Sequence, residues 1–156
     1  MRPGSLYAAF GNKDNLFKEA LNRYAEQGAV NLTNGIAQEK TVLAGLKRFV
    51  RSVTVYSKGT APSGMCMVVK TIAELTQNDS PELLAYATSI LERVETSFVR
   101  AFEQAIDNCE ISSDKDPNEL ARYFQIQLIG LRTYAQVSND TEAVDRYIDG
   151  IFEQFL

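Results

Sequence analysis

The sequence predicts an all-α fold, a helical bundle, on three observations. Apolar residues recur at three- and four-residue spacing through every long segment. No stretch alternates apolar and polar residues as a half-buried strand would. Helix start signals recur near Thr41, Ser80, Asp116 and Asp140, often with a Pro or an acidic residue just behind the cap.

The first element is short. Pro3 suits a first helical turn, where a missing N–H leaves no gap in the ladder. Leu6 and Phe10 are four apart and share one face, which leaves Arg2, Ser5, Tyr7 and Ala9 freer to face outward. Gly11 allows the chain to leave the helix in a left-handed conformation, and Asn12 can cap the next one. Lys13 then stands at a helix N-terminus, where free backbone N–H groups favour an anion such as a phosphate.

Residues 13–33 carry Leu16, Phe17, Ala20, Leu21 and Tyr24 at helical spacing. Thr41 caps a helix through about Ser57, with Leu43, Leu46, Phe49, Val50 and Val53 on its inner face. Residues 58–64 form a Gly- and Pro-containing loop, followed by a short helix from about Met65 to Thr76. Ser80-Pro81-Glu82 opens the longest helix, to about Asn108, with Ile90, Val94, Phe98 and Phe102 as its clearest stripe. After a polar break at 110–116, Asp116-Pro117-Asn118-Glu119 supplies a cap, a first-turn Pro and a capping-box Glu for a helix to about Val137. Asp140 or Thr141 caps the last helix, which reaches the C-terminus.

The segment 117–137 speaks about assembly. Leu120, Tyr123, Phe124, Leu128, Leu131 and Ala135 make one apolar stripe, while Ile126, Ile129 and Val137 lie elsewhere around the helix. A helix apolar on more than one side needs burial on more than one side. Gly130 lets another backbone come close, and the final helix adds Val144, Tyr147, Ile148, Ile151, Phe152 and Phe155. A homodimer through helices 117–137 and 141–156, paired with their symmetry mates in a four-helix interface, is the expectation.

Composition narrows the function. At 156 residues and 45% apolar the chain can bury a real core. Its net charge of −4 is not that of a nucleic-acid binder by itself. The first 27 residues hold Arg2, Lys13, Lys18 and Arg23 against Asp14, Glu19 and Glu26, a slight positive excess. With no histidine, Ser-His-Asp and Cys-His catalysis and imidazole acid–base chemistry are excluded. No phosphate-cradling Gly-rich loop occurs, and carboxylate pairs such as Glu92/Glu95 and Asp145/Asp149 read as solvated helix faces. The chain does not read as an enzyme, and nothing in it calls for a cofactor or a metal. No membrane-spanning run or signal peptide is visible, and two unpatterned cysteines, Cys66 and Cys109, suit a reducing cytoplasm.

Residues 4–17 carry a resemblance. Gly4-Ser5-Leu6-Tyr7, Phe10, Asn12-Lys13-Asp14 and Leu16-Phe17 resemble the recognition helix and following helix start of the TetR/AcrR, tetracycline-repressor-like, transcriptional regulators. Ala8 and Ala9 depart from that pattern, where relatives often carry larger or polar residues. The resemblance implies a remnant helix-turn-helix head at 1–27, consisting of a recognition helix and the start of a connecting helix, and a ligand-binding and dimerisation domain at 28–156. A family member would carry roughly forty more residues upstream, including the bracing helix of the motif. The expectation is therefore an N-terminally truncated copy: a fragment, a misplaced start codon or a truncated gene product.

On that resemblance the chain is a ligand-responsive transcriptional regulator of repressor type; the other reading is a helical dimerisation and ligand-binding module that no longer binds DNA. With an intact head, operator DNA is a partner: Tyr7 and Lys13 contact phosphate, and Arg2, Pro3, Ser5 and Ala8 approach bases. An unknown small-molecule effector enters among the middle helices, with Phe49, Val53, Tyr56, Met67, Ile90, Val94, Phe98, Tyr123 and Gln127 as candidate lining. Such residues also suit any core. Cys66 joins them, either as a small core residue or as a redox or electrophile sensor, because a helix N-terminus and Lys70 four residues on would favour its thiolate.

Overall fold

The computed structural model describes residues 11–55, 66–75, 80–138 and 140–155. Among them are six helices and no strand: α1 (Lys13–Ala37), α2 (Val42–Thr54), α3 (Met67–Glu74), α4 (Pro81–Asp107), α5 (Pro117–Val137) and α6 (Thr141–Glu153). The all-α expectation holds, and the helix starts follow local chemistry. Asn12, Thr41, Ser80 and Asp140 each accept a hydrogen bond from the backbone N–H three residues on. Asp116 caps α5 more tightly, taking both the backbone and side-chain N–H groups of Asn118. Glu119 does not close a capping box; it lies 3.8 Å from Arg122. Gly11 has φ +81°, the left-handed conformation that a Cβ would resist.

Helix α1 is longer than its apolar pattern and runs unbroken through residue 27, so the two predicted segments share one helix. It ends where α2 crosses it. A Cβ on Gly45 would collide with the backbone of Ile36 and sit 3.0 Å from the Gly35 carbonyl oxygen. The α1–α2 crossing is therefore backbone against backbone. Glu110, in the loop between α4 and α5, accepts from the Val42 and Leu43 N–H groups at 2.9 Å each. Its carboxylate suits the positive end of α2 and ties that end to the far side of the bundle.

The main core gathers α2, the second half of α4, α5 and α6 around stacked phenylalanines. Phe98 meets Phe124 edge-on at 4.8 Å, Phe102 meets Phe155 at 5.1 Å, and Phe124 meets Phe152 at 5.8 Å. A second, smaller cluster joins Leu21 of α1, Val68 of α3 and Leu83, Ala87 and Ile90 of α4. Between the two clusters the packing leaves a gap.

Gly45→Ala should cost about 1–3 kcal/mol by overpacking, lowering Tm by roughly 2–12 °C. Gly28→Ala, where nothing lies within 4 Å, should leave Tm unchanged or raise it. Thermal melts followed by circular dichroism check both; equal effects would mean that the crossing has slack.

Candidate functional site

The gap is a cavity of about 520 Å³ between α1, α2, α4 and α5, with Cys66 and Val68 closing one end. That volume suits a small organic molecule. Its deep wall is apolar: Leu32, Phe49, Val68, Ile90, Phe98 and Leu128 are all buried. Its mouth is polar, with Gln27 and Asn31 on α1 facing Arg93, Thr96 and Arg100 on α4.

Polar groups also reach inside. Arg132 of α5 donates from its guanidinium to the Tyr24 hydroxyl at 2.8 Å, across the cavity end between α5 and α1. Burial raises the Tyr24 pKa above its ordinary value; Cys66 adds to this and Arg132 opposes it. Tyr24 thus stays a neutral phenol that accepts from Arg132. One helical face of α5 supplies Gln125, Leu128, Ile129 and Arg132. The Gln125 Oε1 is buried and accepts no hydrogen bond among the described residues. Arg93, Arg100 and Arg132 bring three cations to the lining, and among the described residues no acidic one lines it.

Of the sequence-predicted lining residues, Phe49, Val53, Cys66, Ile90, Val94 and Phe98 meet at this cavity. Tyr56 lies outside the described residues. Met67 packs on the smaller core cluster instead. Tyr123 and Gln127 do not reach the cavity. Each is two residues from Gln125, about 200° around the helix, and so turns away from that face. Tyr123 packs edge-on against Phe155 at 5.9 Å and donates to Gln154. Sequence reasoning did not single out Tyr24, Gln125 or Arg132 as lining. The available signal was Arg132 itself, a long cation set beside the Leu128–Leu131–Ala135 stripe. Cys66 occupies the N-cap position of α3 without a side-chain capping bond, and Lys70 pairs with Glu74 at 3.7 Å.

Of the DNA-facing residues expected from the sequence, Arg2, Pro3, Ser5, Tyr7 and Ala8 lie outside the described residues. Lys13 is exposed at the first turn of α1, with its ammonium 6.0 Å from the Phe17 ring centre. That end of α1 is fastened to the start of α4. Ser80 donates to Asp14 at 2.6 Å, and Lys18 pairs with Glu82 at 3.4 Å. Both long walls of the cavity, α1 and α4, thus meet beside Lys13.

On the other side, α2 holds α6 by ion pairs. Arg51 reaches Asp145 at 2.8 Å and Asp149 at 3.2 Å, and Lys47 reaches Asp149 at 2.8 Å. The Asp145/Asp149 pair is thus a docking point for α2 cations.

The pattern described as the tetracyclin repressor-like, C-terminal domain matches residues 42–151. The chain belongs to the TetR family of transcriptional regulators. The match spans α2 to α6, so all of α1 lies before it. The chain is 23% identical over 146 residues to the HTH-type transcriptional regulator YezE of Bacillus subtilis (strain 168), an uncharacterised protein, covering 93% of this chain and 75% of that one. Its fold matches a cysteine mutant of the TetR family transcriptional regulator CifR, solved with 26-base-pair operator DNA, with a TM-score of 0.86. The two are 24% identical, over 100% of this chain and 81% of that one. A TetR-type protein from Rhodococcus sp. RHA1 follows at TM-score 0.67 and 24% identity, over 99% of this chain and 82% of that one. At these identities the structural likeness speaks for the TetR fold alone. Among the described residues no helix is long and apolar enough to cross a membrane.

In this TetR body the Lys47 hydrogen bond, with the Lys47 and Arg51 charges, holds the Asp149 carboxyl below its ordinary pKa. Its contribution to stability is therefore complete above the ordinary carboxylate pKa and is lost as pH falls through the folded one. Asp149 is half exposed, so the contribution should stay below about 1 kcal/mol. Asp149→Asn should lower Tm slightly at neutrality, and the difference should shrink as pH falls below the ordinary carboxylate range. Melts of both proteins across that range test this; a difference independent of pH would count against the ion pair.

Proposed function

We propose that the chain is a ligand-responsive repressor that works in the cytoplasm as a homodimer and performs no catalysis. A small-molecule effector binds in the α1–α2–α4–α5 cavity and alters the hold on operator DNA. The observation that carries this reading is the shared path of the cavity walls. Helix α1 lines the cavity from Tyr24 to Leu32 and begins at Lys13, beside the recognition-like stretch. Helix α4 lines it from Ile90 to Arg100 and is bonded to the start of α1. A ligand that spreads or tightens the cavity therefore acts on the element that would set the DNA-reading angle.

Dimerisation is supported by an outer face that the chain leaves bare. Ile126 (62% exposed) and Val137 (80%) of α5 lie exposed, and Tyr134 meets Tyr147 of α6 edge-on at 5.8 Å on the surface. Large exposed apolar residues on two adjacent helices suit a two-fold four-helix interface. Operator DNA as a partner is supported by family membership and by the CifR structure, whose protein is bound to its operator.

Ile126→Glu should shift the chain from dimer to monomer in analytical ultracentrifugation with its helical content unchanged. A wild-type chain that sediments as a monomer at tens of micromolar would remove the interface. Fluorescence anisotropy on DNA from the chain's own promoter, with this chain and with a form extended upstream in frame, tests the repressor. Lys13→Ala in the form that binds should weaken all sequences alike and reduce the salt slope by about one. An unchanged slope would take Lys13 off the phosphate backbone.

A further inference from the structure

Buried polar side chains in this bundle find partners close at hand. The Thr54 hydroxyl donates to the Val50 carbonyl at 2.7 Å, and the Thr71 hydroxyl donates to the Met67 carbonyl at 2.8 Å. Each gives its proton to the preceding turn of its own helix. A glutamine carbonyl oxygen has no such outlet. It needs a donor, and in mid-helix the backbone N–H groups around residue 125 are already bound to carbonyls four residues back. Among the described residues, the Gln125 Oε1 is the one buried side-chain nitrogen or oxygen without a hydrogen bond. Gln125 is also part of the cavity wall. Native interiors hold few orphan acceptors, because each forfeits its hydration for nothing in return. Its place in that wall gives the missing donor somewhere to come from.

The neighbouring wall says what carries that donor. Leu128 and Ile129 follow Gln125 by three and four residues, one turn along the same face of α5. Val94 and the buried Phe98 line the same space from α4. Ala25 and Gly28 line it from α1 and put almost no side chain into it. A Cβ added at Gly28 would meet nothing within 4 Å. Room for a ligand body therefore lies about one helical turn, roughly 5 Å, from the Gln125 carboxamide. That spacing suits a compact body rather than a long chain, and a charged group laid against such a surface would lose its water. We propose that the cavity binds an uncharged, compact ring compound bearing a hydroxyl, whose O–H donates to the Gln125 Oε1 while its rings lie against Leu128, Ile129 and Phe98. The last torsion of a glutamine is soft, so the carboxamide turns toward the donor at little cost. The contact makes no demand on Tyr24 and Arg132, which are bonded to each other.

This inference rests on the cavity being the effector site, and the test separates the two. Titrations of the full chain, followed by the probes' own fluorescence, would use 2-naphthol, 2-methoxynaphthalene, naphthalene and the charged 2-naphthoate. The first has a donor, the second only an acceptor and the third neither. 2-Naphthol should bind about three- to tenfold tighter than the methoxy compound and naphthalene, and 2-naphthoate should bind more weakly than 2-naphthol. Gln125→Leu should abolish the 2-naphthol preference and leave naphthalene binding in place. It should not lower the Tm of the empty protein, because it replaces an orphan acceptor by an apolar group of similar size. Gly28→Leu, which fills open space with a good helix former, should weaken all four probes with helical content unchanged. A methoxy compound equal to 2-naphthol, a preference that survives Gln125→Leu, a tighter 2-naphthoate or no binding by any probe would each overturn the proposal. If 2-naphthol binds as expected but leaves operator binding unchanged in anisotropy, the effector reading fails and the ligand class stands. If a compound without a donor releases the operator, and loses that effect in Gly28→Leu, the ligand class fails and the effector reading stands.

Discussion

The α1–α2 crossing at Gly45 governs the rest of the structure. Two helices meet there with no side chain between them. Close approach fixes the angle of α1 far more tightly than a layer of flexible side chains would. Because α1 leaves that crossing as one rod of 25 residues, its far end is positioned by leverage. The cavity exists because α1, pinned at one end to α2 and at the other to α4, spans the space between two core clusters without filling it. Its walls are thus set by contacts at their ends, backbone against backbone at α2 and side chain to side chain at α4, and its contents are free to differ.

Helix α2 converts that geometry into a connection with the opposite side of the bundle. One face supplies Phe49, Ser52 and Val53 to the cavity. The other supplies Lys47 and Arg51 to the α6 carboxylates. Its first turn is held by Glu110 from the α4–α5 loop. Partly exposed ion pairs contribute little stability singly. Their effect here is on register, because Arg51 divides its guanidinium between Asp145 and Asp149, one turn apart on α6. A shift of α2 along its axis must break one of those pairs, so α6 moves with α2. Helix α6 also presents Tyr147 on the bare outer face, which places the cavity one helix away from the proposed subunit contact.

Much of the architecture was legible in the sequence because it is local chemistry. Asn12, Thr41, Ser80, Asp116 and Asp140 announce helix starts through side chains that bond their own backbone. Gly11 announces the turn before α1 because a residue without a Cβ takes a left-handed conformation freely, and its φ in the structure is positive. Apolar spacing placed Phe49, Val53, Ile90, Val94 and Phe98 on inward faces, and these meet at the cavity. What was not legible depends on the relative rotation of distant helices. Tyr123 and Gln127 share the apolar neighbourhood of Phe124 and Leu128, yet a rotation of about half a turn decides which residues of α5 see the cavity. Tyr24 reads in sequence as one more inner-face aromatic. Its contact with Arg132, 108 positions away, exists only after folding. The Gly35–Gly45 approach was equally silent, because a glycine in a helix gives no sign of which backbone will press against it.

A polar group enters an apolar chamber at a cost that must be met by some partner. For Arg132 and Tyr24 part of that compensation is mutual. For the Gln125 Oε1 no protein group supplies it among the described residues. A cavity whose sole purpose was loose packing would be lined with side chains that tolerate emptiness, as apolar ones do. This one sets a cation and an orphan acceptor on the same face of α5, two turns apart, with only Leu128 and Ile129 between them. The α5 face that bears them is continuous with the exposed face of the same helix. Helix α5 therefore carries Gln125 and Arg132 toward the cavity and Ile126 and Val137 toward the outside on one rigid rod, so a displacement of α5 moves both faces together.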